Sequence, residues 1–118
     1  SRANDGSYRV RGAVNGMPVK FLIDTGADSV AINSLEAKRL GIPYYLDGQK
    51  MRVSTASGIT TAHSIVFDRI RIGEIELTQV RGAVVDGEFP TEALLGMSFL
   101  NRLDMEQSGN LLILRSKQ

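Results

Sequence analysis

The residues best suited to chemistry form one short run, Asp24-Thr25-Gly26-Ala27-Asp28, directly after the apolar triplet Phe21-Leu22-Ile23. The triplet reads as a buried strand, so the run delivers a carboxylate to the end of a buried element. Burying a charge is costly unless it is paired or hydrogen-bonded. Thr25 can supply a hydroxyl, and Gly26 permits close backbone approach. A carboxylate in such a place has a direct use if it meets a second one. Two carboxyl groups held close cannot both ionise, so they share a proton. One then serves as general base on a water while the other donates to a substrate carbonyl.

The elements around this run are short and mostly extended. Tyr8, Val10 and Val14 alternate with Arg9, Arg11 and Ala13, the period-two mark of a strand. Asn15-Gly16 then predicts a tight hairpin, since both residues tolerate the positive φ of a type I′ turn. Met17 to Ile23 forms the return strand that ends at Asp24. A short strand at Ser29 to Ile32 leads to Asn33, which caps a helix with Glu36 as its capping-box partner. Gly41 and Pro43 end that helix. Residues 51–67 read as a long hairpin with its tip near Ser57-Gly58, polar enough to bury little. Ile65 to Ile72 and Ile75 to Val80 form a further pair, and Gly82 to Asp86 another short strand. After a loop at 87–92 comes Ala93-Leu94-Leu95-Gly96, then a predicted short helix over Met97 to Leu103. A final hairpin turns at Ser108-Gly109-Asn110. Its last strand, Leu111-Leu112-Ile113-Leu114, is apolar on both faces and so needs cover on both sides. The pattern is mostly β, a small closed or sandwich-like barrel with one or two short helices.

Composition narrows the function. The chain has 118 residues, 42% hydrophobic and 23% charged, as expected of one globular domain at 7–118 behind a polar tail at 1–6. Its net charge is +1, from 14 basic and 13 acidic side chains, and the longest basic run is Lys38-Arg39. Nucleic-acid binding would want a basic face. There are no cysteines, which excludes disulfides, thiolate catalysis and cysteine-based zinc sites. The one histidine, His63, reads as an exposed residue on a hairpin arm, and no metal or organic cofactor is expected. No apolar run reaches the ~18 residues of a membrane span, and no secretory signal is present. The chain starts at Ser1 rather than Met, which suggests a fragment or processed product.

Taken together, these motifs resemble the retropepsin-like aspartic proteases, in particular the bacterial membrane-anchored branch. The resemblance runs from about Tyr8 to Arg115. Asp24-Thr25-Gly26-Ala27 is similar to the family's catalytic loop, and Ala93-Leu94-Leu95-Gly96 to its second signature. Gly96-Met97-Ser98-Phe99-Leu100 is similar to the bacterial branch, and the 51–67 hairpin falls where the family places its flap. The resemblance implies a closed acid-protease barrel and an endopeptidase that uses water and no cofactor. It implies a homodimer with one Asp24 from each copy, since one Asp-Thr-Gly cannot make a two-lobed enzyme alone. A two-fold interface of this kind is self-complementary. By the same resemblance, Asp24 is the catalytic carboxylate, Thr25 bonds to its counterpart, and Gly26 supports the loop and substrate. Ala27, Asp28, Ser57 and Gly58 contact the peptide, while Leu94, Leu95 and Gly96 pack beneath. It also implies a periplasmic domain tethered to a bacterial inner membrane by a segment outside this chain. One departure stands out: retroviral members carry Arg after the second-signature glycine, whereas this chain has Met97, leaving Arg102 as a candidate partner for Asp28.

Two other classes compete with this reading. A non-catalytic binding or dimerisation module could use the same fold. Phosphoryl transfer from an Asp after an apolar strand would need βαβ units and a phosphate-cradling loop, and neither is present.

Overall fold

The computed structural model describes residues 8–46 and 49–117, so the expected tail at 1–6 lies outside the described residues. β1 (Tyr8–Val14) and β2 (Met17–Ile23) pair antiparallel from Val14↔Met17 to Tyr8↔Ile23. Asn15 and Gly16 join them at φ of 51° and 85°, the conformation the type I′ turn demands. β3 (Val30–Asn33) runs into α1 (Ser34–Arg39). Asn33 Oδ1 accepts the Glu36 N–H at 2.8 Å, but the Glu36 carboxylate turns to Arg39 instead, so only half of the capping box forms. A single 3-10 turn at Tyr44–Leu46 precedes β4 (Lys50–Thr55) and β5 (Gly58–Ile72). β6 (Ile75–Val85), β7 (Ala93–Leu95), α2 (Met97–Leu100), β8 (Leu103–Ser108) and β9 (Leu111–Ser116) complete the chain.

The main sheet has the order β1-β2-β7-β3-β6-β5-β4, and β1 also pairs with β5. Six strands therefore close into a barrel, with β4 attached to the outer reach of β5. Closure removes the edges that would otherwise template aggregation. Val14, Phe21, Val30, Ile32, Phe67, Ile70, Val80, Val84, Leu95 and Phe99 fill the interior and are essentially inaccessible. Burying each of the larger ones is worth roughly 1.5–3 kcal/mol.

Several boundaries differ from expectation. β5 is one continuous strand serving both the hairpin and the barrel, and β6 runs unbroken through the expected gap before Gly82. Period-two patterning reads a change of neighbour as a break, but the backbone can extend through it. Gly82 is an approach point: a Cβ there would strike the Phe67 ring and the Val30 carbonyl. The second helix stops at Leu100, because Leu103 pairs with Ser116 and starts β8. β8 and β9 form a separate two-stranded sheet. Leu112 and Leu114 pack on the core, whereas Leu111, on the other face with Ile113, is 61% exposed. Among the described residues, the two-sided apolar strand is covered on one side and only in part on the other.

Candidate active site

β2 and β7 are parallel, with Phe21↔Ala93, Leu22↔Leu94 and Ile23↔Leu95 in register. β7 also meets β3, through Ala31↔Leu94. It therefore sits between two strands that are consecutive in sequence. The connection from Ile23 to Val30 has to cross the end of β7, and that connection is the Asp24 loop.

The crossing is tight and fully specified. Asp24 N–H donates to the Leu95 carbonyl at 3.2 Å, and Ala27 N–H to the Asp24 carbonyl at 3.2 Å. The Met97 N–H returns a bond to the Ala27 carbonyl at 2.8 Å. Gly96 lies directly beneath: a Cβ there would collide with the Ser29 carbonyl and sit 2.8 Å from the Ala27 carbonyl. Leu95 reaches the Asp24 loop through its carbonyl and Gly96 packs against its Ala27 and Ser29 backbone, whereas Leu94 pairs with Leu22 and Ala31 on the flanking strands.

Asp24 is half-buried at the mouth of the barrel. Its Oδ1 accepts the Gly26 N–H at 2.9 Å, which fixes the orientation of the carboxylate. Thr25 and Gly26 are exposed beside it, and Ala27 is half-buried. Among the described residues no hydrogen bond reaches the second carboxylate oxygen, so it is open to water or to another donor. A lone carboxylate can act as a base, but sharing a proton needs a second acidic group.

Of the remaining predicted residues, Asp28 belongs to the loop and Arg102, Ser57 and Gly58 lie on other elements. Asp28 is exposed and has no ion-pair or hydrogen-bond partner among the described residues. Arg102 is not that partner: its guanidinium donates to the Thr78 carbonyl at 2.8 Å and to that of Gln79. Gln79 adopts a positive φ of 52°, and Arg102 satisfies carbonyls exposed at that irregularity. Ala56 and Ser57 form the turn of the β4–β5 hairpin and Gly58 opens β5 opposite Thr55, whose Oγ1 donates to the Gly58 carbonyl at 2.8 Å. A cleft of about 440 Å³, lined by Arg9, Lys20, Glu36, Arg39 and Glu92 among others, includes none of the predicted site residues.

His63 corrects the sequence reading. It is buried, only 5% exposed, with Nε2 3.0 Å from Asp86 Oδ1 and its ring edge-on to Tyr44. It lies where β5 leaves the hairpin and lies against β6, and a packed side chain is required there. Ser98 was also missed as a support. Its hydroxyl accepts the Val30 N–H at 3.0 Å and donates to the Arg81 carbonyl, tying α2 to β3 and β6. A serine in a short helix gives no sequence signal for either bond.

This barrel, with an Asp-Thr-Gly loop crossing a Leu-Leu-Gly strand, defines a one-lobed acid-protease fold. Residues 10–102 match the gag-polyprotein putative aspartyl protease family, and the chain belongs to it. It is similar to the crystal structure of a retropepsin-like aspartic protease from Rickettsia conorii, with a TM-score of 0.80 and 31% identity over 94% of this chain and 92% of that one. The retroviral protease-like domain of Ddi1 from Leishmania major shares the fold at a TM-score of 0.69 and 20% identity, over 95% of this chain and 94% of that one. In sequence, the uncharacterized protein RP867 of Rickettsia prowazekii (strain Madrid E) is 33% identical over 106 residues, 86% of this chain. An uncharacterized protein encoded in the cobV 5′ region of Sinorhizobium sp is 30% identical over 103 residues, 87% of this chain. The chain spans 43% and 44% of the lengths of these two relatives.

Proposed function

We propose that the chain is the protease domain of an aspartic endopeptidase that works as a homodimer, pairing one Asp24 from each copy. The observation that carries this reading is the Asp24 loop. A half-buried carboxylate, oriented by the Gly26 N–H and anchored to Leu95, faces out of the barrel in a chain with a single Asp-Thr-Gly. Two copies related by a two-fold axis supply the missing acid.

In the dimer the two carboxyls share one proton. The ionised one takes a proton from water as the oxygen attacks the peptide carbonyl carbon. The protonated one gives its proton to the carbonyl oxygen, forming a neutral tetrahedral diol. Proton transfer to the amide nitrogen then breaks the C–N bond and releases an acid and an amine. Thr25 bonds to its counterpart and stiffens the loop. Gly26, Ala27 and Asp28 line the peptide site. The β4–β5 hairpin is the flap, with Ser57 and Gly58 closing over a peptide bound as an added strand.

The resemblance to the bacterial branch supports placing the longer protein in the periplasm, held at the inner membrane by a segment outside this chain. Among the described residues no helix is long and apolar enough to cross a membrane. Protease accessibility in spheroplasts tests that placement.

The deciding experiment maps cleavage of a peptide library at mildly acidic pH by mass spectrometry. Replacing Asp24→Asn should lower kcat/KM by at least ~1,000-fold, the order of a lost general acid–base, with the fold unchanged by circular dichroism. Cleavage that survives this substitution rules out the reading.

A further inference from the structure

Among the described residues His63 and Tyr44 are buried ionisable side chains in contact with one another, and His63 stands at a mechanical junction. β5 pairs with β6 only as far as Ala62↔Val85, and Asp86 N–H adds a last bond to the Thr61 carbonyl at 2.9 Å. Beyond that point residues 58–60 pair only with β4. The root of the hairpin is therefore the Thr60–Ser64 stretch, and Asp86 is the barrel residue that grips it. Thr60 Oγ1 donates to the Asp86 carbonyl at 3.0 Å, and Ser64 N–H donates to the Gln49 carbonyl at 2.9 Å on the other arm.

His63 joins both sides of this root. Its Nε2 meets Asp86 Oδ1 at 3.0 Å, while its ring packs edge-on at 5.0 Å against Tyr44, in the turn that precedes β4. An ionised carboxylate can only accept, so Nε2 is the donor in this bond. Nδ1 is buried and has no hydrogen-bond partner among the described residues. The side chain is held there by its bond to Asp86 and its contact with Tyr44. Asp86 in turn opens the segment leading to β7. Ser34 Oγ accepts the Gly87 N–H at 3.0 Å, and Asn33 Nδ2 donates to the Pro90 carbonyl at 2.8 Å, which fixes that segment to the barrel.

We propose that His63 is a positioning residue: by bonding to Asp86 it latches the root of the β4–β5 hairpin to the barrel and, with that hairpin as the flap, governs peptide affinity rather than bond cleavage. The affinity clause rests on the peptidase reading above; the latch itself does not.

The test begins with hydrogen–deuterium exchange on the whole chain without substrate. His63→Leu, which fills the space without a donor, and Asp86→Ala, at a partly exposed site that the fold tolerates more easily, should each speed exchange of amides 50–61 by about tenfold. Amides of β1 and β2 should keep their rates. His63→Gln, whose amide can reach the same carboxylate, should restore hairpin protection to within about threefold. In peptide cleavage, Asp86→Ala should raise KM by about five- to tenfold and leave kcat within about twofold. Unchanged hairpin exchange in Asp86→Ala overturns the latch, as does acceleration spread evenly over the barrel. A fall in kcat at constant KM overturns the affinity clause. If the unaltered chain neither cleaves peptides nor binds a statine-containing peptide, the peptidase reading and the affinity clause fall together, and exchange alone still judges the latch.

Discussion

Asp24 owes its placement to backbone bonds more than to its own side chain. Its N–H is held by Leu95 and its Oδ1 by Gly26, so the carboxylate direction is set before any partner arrives. Preorganisation of this kind lets a catalytic group act without reorganising during reaction. Gly96 is the residue on which the crossing depends most. With a Cβ, it would displace the Ser29 and Ala27 carbonyls and with them the Asp24 loop. Gly96→Ala should cost about 3 kcal/mol in urea unfolding, the upper range for overpacking, because the obstacle is backbone rather than a movable side chain. Asp24→Asn, in contrast, should leave stability nearly unchanged. Asp24 and Gly96 were both legible in the sequence, as a carboxylate after an apolar strand and a glycine after Leu-Leu. His63 was not, because burial of a lone histidine depends on Tyr44 and Asp86, which lie far from it along the chain.

At the scale of elements, α1 works as a clamp on the segment that leads to β7. Asn33 caps the helix through Glu36 N–H and also donates to the Pro90 carbonyl. Asn33→Ala removes both functions and should cost about 1–2 kcal/mol, measured by thermal or chemical denaturation. The ion pair of Glu36 with Arg39 makes a smaller, pH-dependent contribution. A hydrogen bond from the guanidinium, aided by charge attraction and opposed by partial burial, lowers the Glu36 carboxyl below its usual 4.5. A lowered folded value means that the stabilisation is complete above the unfolded value and disappears as pH falls through the folded one. Solvent screening of the half-exposed Arg39 keeps it to about 0.3–0.5 kcal/mol. Glu36→Gln should show that loss in unfolding at neutral pH and none well below the carboxylate range. The cap was readable from Asn33 and Glu36 three positions apart. The turn of Glu36 toward Arg39 was not, because one carboxylate had two competing local partners.

For the whole molecule, the open question of function is one of association. Among the described residues Leu111 is exposed and Ile113 half-buried on one face of the strand whose other face packs on the core. If two copies pair as proposed, activity per chain should fall on dilution. Replacing Leu111→Asp together with Ile113→Asp should shift sedimentation toward the monomer while leaving the unfolding midpoint of the barrel nearly unchanged. A double substitution that leaves a dimer intact would place the interface elsewhere.

The sequence by itself determined the strand-rich class, the Asn15-Gly16 turn, the helix cap and the carboxylate loop with its Leu-Leu-Gly counterpart. The class, the turn and the cap depend on local steric rules or on residues a few positions apart, whereas the link between the loop and the distant Leu-Leu-Gly comes from the resemblance to the family. Only the tertiary structure decided that β7 inserts between β2 and β3, that β5 and β6 run through their expected breaks, and that His63 and Ser98 are buried or bonded supports. Those outcomes depend on which distant strands become neighbours, and barrel closure fixes that for all six strands at once. No single segment carries the information.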